Sequence, residues 1–160
     1  MKNNKESILQ QQCVYWFRVQ YPQYAKLLTH PINEGSDHTS QDRRRQAIHK
    51  AEGTVAGVPD LLLFVPAIMV ESCWRGLGIE MKTPTGRQSQ EQKDFQKMFE
   101  AAGYKYVIVR TLDEFKDCIN QYMASVTACC KNKIAKAHEE LIKAQDAREL
   151  AYFKKVIGKK

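Results

Sequence analysis

Three charged residues stand out by type and spacing. Asp60 precedes an apolar run, Leu61-Leu62-Leu63-Phe64-Val65, and twenty residues on, Glu80 and Lys82 lie two apart in Gly76-Leu77-Gly78-Ile79-Glu80-Met81-Lys82. Residues two apart on a β-strand point to the same face, so a carboxylate and an ammonium would stand side by side. Charges near the end of a buried strand are costly unless they pair or serve a site. The plainer account is an ion pair, Asp60 or Glu80 with Lys82, that staples two strands. Two further positions invite both kinds of reading. Glu6 would sit in the first turn of a helix, where a carboxylate is favoured by the dipole, and Gln10 follows one turn later on the same face. Ser89-Gln90-Glu91-Gln92 is a capping box, which accounts for Ser89 and Gln92 without any chemistry.

The elements that would position these residues can be read from periodicity. An amphipathic helix is expected over residues 4–20, with Ile8, Leu9, Cys13, Trp16 and Phe17 on one side and Tyr21-Pro22 as its stop. A short strand over 27–32 is weakened by Pro31. A polar loop over 34–39 precedes a basic helix from about Ser40 to Ala51, carrying Arg43, Arg44, Arg45 and Lys50 and ended by Gly53. Residues 61–65, a short apolar run bounded by turn residues, fit a strand buried on both faces. Strands over 76–82 and 104–109 and helices over 89–102 and from Leu112 to about Cys130 follow. A last helix, over 131–157, has a narrow seam made mostly of alanine. This predicts an α/β fold.

Taken together, the ordered set resembles the PD-(D/E)XK nuclease superfamily, and within it the VRR-NUC (virus-type replication–repair nuclease) family. The resemblance lies in Glu6-Ser7-Ile8-Leu9-Gln10, Lys50 through Gly57-Val58-Pro59-Asp60-Leu61, Ile79-Glu80-Met81-Lys82-Thr83-Pro84, and Ser89 through Gly103-Tyr104, and it covers roughly residues 5–118. It implies a restriction-endonuclease-like core (αβββαβ, a central mixed sheet flanked by helices) with an extra C-terminal helix. The domains would be a nuclease domain over 1–125 and a basic helical extension over 126–160. It also implies a metal-dependent endonuclease acting on DNA, with branched forms such as four-way junctions as the expected substrate and a homodimer as the expected assembly; relatives of this standalone type are found in phages and mobile elements.

The resemblance also assigns roles. Asp60, Glu80, the backbone carbonyl of Met81 and the helix carboxylate Glu6 would hold Mg²⁺ or Mn²⁺, hard cations that prefer oxygen ligands. Lys82 would sit by the attacking water and the scissile phosphate. Gln92 would line the site while keeping its capping role. Asn33 and Arg45 match positions where the family often has polar and basic residues. Beside a phosphodiesterase site, Arg43, Arg44, Arg45, Lys50 and Gln10 become candidates for DNA contact, where a charge run alone would read as a solvated helix face. Rival readings are a nuclease of the same fold acting on flaps, nicks or linear duplex, and a non-catalytic DNA-binding module. His30, His38, His49 and His138 lack the ββα spacing of an HNH nuclease.

Composition is consistent with this reading. The 160 residues carry 25 Lys and Arg against 18 Asp and Glu, a net charge of +7 that suits a polyanionic partner. Residues 131–160 hold nine basic against four acidic side chains, and residues 1–130 hold 16 against 14, so most of the excess lies at the C-terminal end. The longest apolar run, Leu61 to Val70, is ten residues and contains Pro66, too short to span a membrane. The N-terminus has no apolar stretch of the signal-peptide kind. Five cysteines without metal-ligand spacing read as free thiols in a reducing cytoplasm.

Overall fold

The computed structural model describes residues 4–31, 48–69 and 72–157. Asn33, Arg43, Arg44 and Arg45 lie outside the described residues. The chain divides into two compact units, Met1–Val126 and Thr127–Lys160.

In the first unit, helix α1 (Asn4–Gln20) buries Cys13 and Phe17, one turn apart on its inner face. It ends just before Pro22, which opens a 3₁₀ turn over Pro22–Leu27. Strand β1 (Leu28–Thr29) is only two residues long. The expected strand over 27–32 is shortened at one end by the 3₁₀ turn and at the other by Pro31, which has no N–H for a ladder. Strand β2 (Leu61–Leu63) pairs antiparallel with β1 and with β5 (Leu77–Met81). Strand β6 (Lys105–Val109) pairs parallel with β5, giving a mixed four-stranded sheet of order β1-β2-β5-β6.

Helices α2 (Gln90–Ala101) and α3 (Leu112–Ala124) accompany the sheet. Ser89 and Thr111 cap them, each accepting a hydrogen bond from the third N–H of its helix. Phe95, Phe99 and Tyr104 stack in series, with ring centroids 5.4 and 4.5 Å apart. Gly78 is required in β5 because Phe99 and Pro59 each lie 2.9 Å from the point a Cβ would occupy. From α3, Phe115, Ile119 and Tyr122 are fully buried, and the Tyr122 hydroxyl donates to the Val65 carbonyl at 2.7 Å.

Two features depart from the sequence reading. A second sheet pairs β3 (Ala67–Met69) with β4 (Ser72–Trp74); the residues between them in sequence, Val70-Glu71, carry none of the usual hairpin turn signals. The expected helix from Leu112 to about Cys130 stops at Ala124. Thr127 then opens a new helix, its hydroxyl accepting from the Cys130 N–H. In the second unit this helix, α4 (Ala128–Ile157), runs for 30 residues, and none of its described side chains is buried. No described helix is long and apolar enough to cross a membrane.

Candidate active site

Antiparallel register places Leu61 opposite Ile79, so Asp60, one residue before β2, comes beside the C-terminal end of β5. There its Oδ2 accepts a 2.7 Å hydrogen bond from the Met81 N–H, and no described residue bonds the other oxygen. An extended residue sends its N–H and C=O out on the same side, so the Met81 carbonyl belongs on the Asp60 side as well.

Glu80 is 1% exposed, the one charged residue among the buried side chains described. Its Oε1 accepts from Lys82 Nζ at 2.6 Å and from Gln92 Nε2 at 2.5 Å, and its Oε2 accepts from the Tyr106 hydroxyl at 3.2 Å. Lys82 lies on the same face, as the two-residue spacing requires, with 12% of its side chain exposed. Gln92 keeps its expected capping role and also donates to Glu80. Its Oε1 accepts from the Ser89 N–H at 2.9 Å, completing the capping box, and that bond turns its amino group toward Glu80. The approach of α2 depends on Gly57, whose φ of +84° and lack of a Cβ admit the Glu91 backbone.

Glu6 reaches the same neighbourhood from α1, its Oε1 accepting from the Thr83 N–H at 2.8 Å. Gln10 is half-buried one turn further along α1, and Lys50 is exposed on the helical residues 48–51. Three participants were not singled out from the sequence. His30 bonds the Asp60 carbonyl through Nδ1 at 2.7 Å, which makes Nδ1 the protonated nitrogen. Tyr106 holds Glu80. Arg110 reaches the turn after Lys82, donating from Nη1 to the carbonyls of Thr83 at 2.6 Å and Gly86 at 3.0 Å. Tyr106 and Arg110 lie four apart at the period of one strand face, and that spacing was the available signal.

Burial dominates the electrostatics. It pushes the Glu80 carboxyl above the usual range, and the neighbouring Asp60 charge adds to this, while the bonds from Lys82 and Tyr106 oppose it. Asp60 is likewise raised, first by burial and also by Glu6, against the Met81 N–H and the charges of Lys82 and His30. Tyr106 is pushed well above its ordinary value by burial and by Glu80.

Two carboxylates, Asp60 and Glu80, thus converge with the charge of Glu6 acting on Asp60 from nearby, and Lys82 and His30 are the basic groups that act on them. That surplus of oxygen-borne negative charge is the donor chemistry a hard divalent cation requires. No three His, Cys, Asp or Glu side chains among the described residues are grouped closely enough to share one ion. The fit is therefore to Asp60, Glu80 and a backbone carbonyl, which suits a cation that keeps several waters and binds through one or two carboxylates. Glu6 stands one step out, on the Thr83 backbone.

The family model described as the VRR-NUC domain matches residues 4–113. A solved structure titled "VRR_NUC domain protein" is similar at a TM-score of 0.63 and 22% identity, covering 79% of this chain and 93% of that one. No curated protein matches.

Proposed function

This chain belongs to the VRR-NUC domain family, which implies a nuclease-type, DNA-processing function, and from that premise we propose that it is a Mg²⁺- or Mn²⁺-dependent endodeoxyribonuclease acting on branched DNA such as four-way junctions. The observation that carries the reading is the convergence of two carboxylates, the half-buried Asp60 and the buried Glu80, at the ends of adjacent strands, with Lys82 donating to Glu80. A structural ion pair would need one carboxylate. The second carries a burial cost that the structure offsets only partly, which is the mark of a group kept for binding.

In this reading Asp60, Glu80 and the Met81 carbonyl would hold the cation, with the Glu6 carboxylate adding negative charge nearby. When bound, the cation supplies charge for the phosphoryl oxygens and acidifies a water. The chain does the rest. Lys82 keeps its ammonium beside the scissile phosphate and screens the charge that builds there. Gln92 and Tyr106 fix both oxygens of Glu80, so the carboxylate meets the cation already oriented. Lys50 and Gln10, with Arg43, Arg44, Arg45 and Asn33, are assigned to the DNA backbone, where contacts position rather than specify. The branched substrate and a homodimer that makes paired cuts rest on the family resemblance.

The test is cleavage of labelled four-way junction, flap, nicked and linear duplex DNA, with Mg²⁺, Mn²⁺ or EDTA. Metal-dependent cutting with the junction preferred is expected. Equal cutting with EDTA overturns the metal, and a preference for linear duplex overturns the substrate.

A further inference from the structure

We propose that Arg110 is a positioning residue of this site, acting through the backbone of Thr83 on Glu6; this rests on the nuclease reading above.

The parallel register of β5 and β6 pairs Met81 with Val109, and the Lys82 N–H donates to the Val109 carbonyl at 2.9 Å. Arg110 therefore leaves β6 beside Lys82 and Thr83. Its own N–H donates to Glu114 Oε2 at 2.8 Å, which anchors its backbone to the first turn of α3. From that anchor Nη1 uses both its hydrogens on one tight turn, reaching the Thr83 and Gly86 carbonyls. The turn's own closing bond, Gly86 N–H to the Thr83 carbonyl at 3.0 Å, converges on the same oxygen.

Thr83 is thus held at its carbonyl, and its N–H is the donor to Glu6, a residue 77 positions away in sequence. No other hydrogen bond to Glu6 is found among the described residues. Glu6 is half-buried in the first turn of α1. The position of that carboxylate relative to Asp60 is therefore set by the turn, and the turn is set by Arg110. The guanidinium suits the task because it cannot lose its charge and presents its donors in a fixed plane.

The test combines metal binding and kinetics. Arg110→Met keeps the length of the side chain and removes the donors. Without DNA, the Mg²⁺ concentration giving half the thermal shift should rise about 10–100-fold, the cost typical of losing a group that orients a ligand. On the DNA the wild type cuts, kcat should fall by a similar factor with KM and salt dependence unchanged. Added to Glu6→Gln, Arg110→Met should cost little more, because both act on one carboxylate. Arg110→Lys, which retains charge and satisfies one carbonyl at a time, should recover part of the loss, and it carries the same cycle should Arg110→Met not fold. Losses that multiply with those of Glu6→Gln overturn the proposal. So does a loss confined to KM with a shallower salt dependence, which would make Arg110 a phosphate contact. A wild type with no response to Mg²⁺ overturns the function reading and this inference with it. A responsive wild type beside an unaffected Arg110→Met overturns this inference alone.

Discussion

Strand β5 and helix α4 both mix charged with apolar residues, and they place them in opposite ways. All five residues of β5 are buried, and Glu80 among them holds its charge at 1% exposure, with three hydrogen bonds arranged around it. Helix α4 has six times as many residues and buries none of those described; Leu141, Ile142, Leu150 and Tyr152 are all at least 47% exposed. Charge on α4 costs almost nothing and therefore says little. Charge in β5 is expensive, so its presence carries information about chemistry.

The sharpest break between the two regions is in activity. Asp60→Ala and Glu80→Ala should each reduce cleavage by a factor on the order of a thousand, and Lys82→Ala by at least a hundred, as loss of groups that stabilise transition-state charge does. Lys143→Ala in α4 should leave the rate within about twofold. Circular dichroism checks that each variant is folded. Near-normal turnover by Lys82→Ala would reduce the Lys82–Glu80 pair to a structural ion pair at the end of one strand.

Stability gives the next contrast. Ile79→Ala empties a fully buried position of β5 and should cost about 2–5 kcal/mol in urea unfolding. Lys143→Ala on the exposed charged side of α4 should fall within about 0.5 kcal/mol of the wild type. A large loss at Lys143 would mean that this side of α4 is covered in solution.

The same contrast explains what could be read in advance. The alternation that puts Glu80 and Lys82 on one face, the Ser89–Gln92 box and the apolar run after Asp60 are local signals, and each is realised by local geometry. Spacing could put Tyr106 and Arg110 on one face, but the roles of these two and of His30 come from partners distant in sequence, 30 with 60, 106 with 80 and 110 with 83, which no local pattern encodes. The β3–β4 hairpin was missed for want of a turn signal. The break at 125–127 escaped because Thr127 caps a helix within a stretch that reads as helical on both sides.

A smaller effect tests whether buried charge in the site is held at a cost. Burial raises both Asp60 and Glu80. A carboxyl whose folded pKa lies above its unfolded value binds protons more tightly when native, so its ionisation lowers stability as pH rises from the unfolded range of about 4 through the folded value. Asp60→Asn retains an oxygen for the Met81 N–H and removes the charge. In EDTA at pH 7 it should melt a few degrees above the wild type, and the gain should shrink as pH falls toward 4. With Mg²⁺ the order should reverse, because the cation stabilises only the protein that binds it. An Asp60→Asn protein less stable than the wild type in EDTA at pH 7 would show that the carboxylate belongs to the fold rather than to a ligand.

The last prediction concerns the exposed side of the comparison. An apolar stripe on a helix with no buried residue is unusual for a helix that stands alone, since most helical stability comes from packing one face. In the proposed homodimer, residues such as Leu141 and Ile142 are the natural surface for a second copy, and paired sites would serve paired cuts on a two-fold junction. Leu141→Lys should then shift the mass in sedimentation from dimer toward monomer. It should leave the melting temperature of the Met1–Val126 unit and its cleavage of single-branch flaps nearly unchanged, and slow the second cut on a junction. Added positive charge on a helix that instead grips DNA would strengthen binding and steepen its salt dependence, with no change in mass. That outcome would assign α4 to phosphate and leave the dimer, if there is one, to another surface.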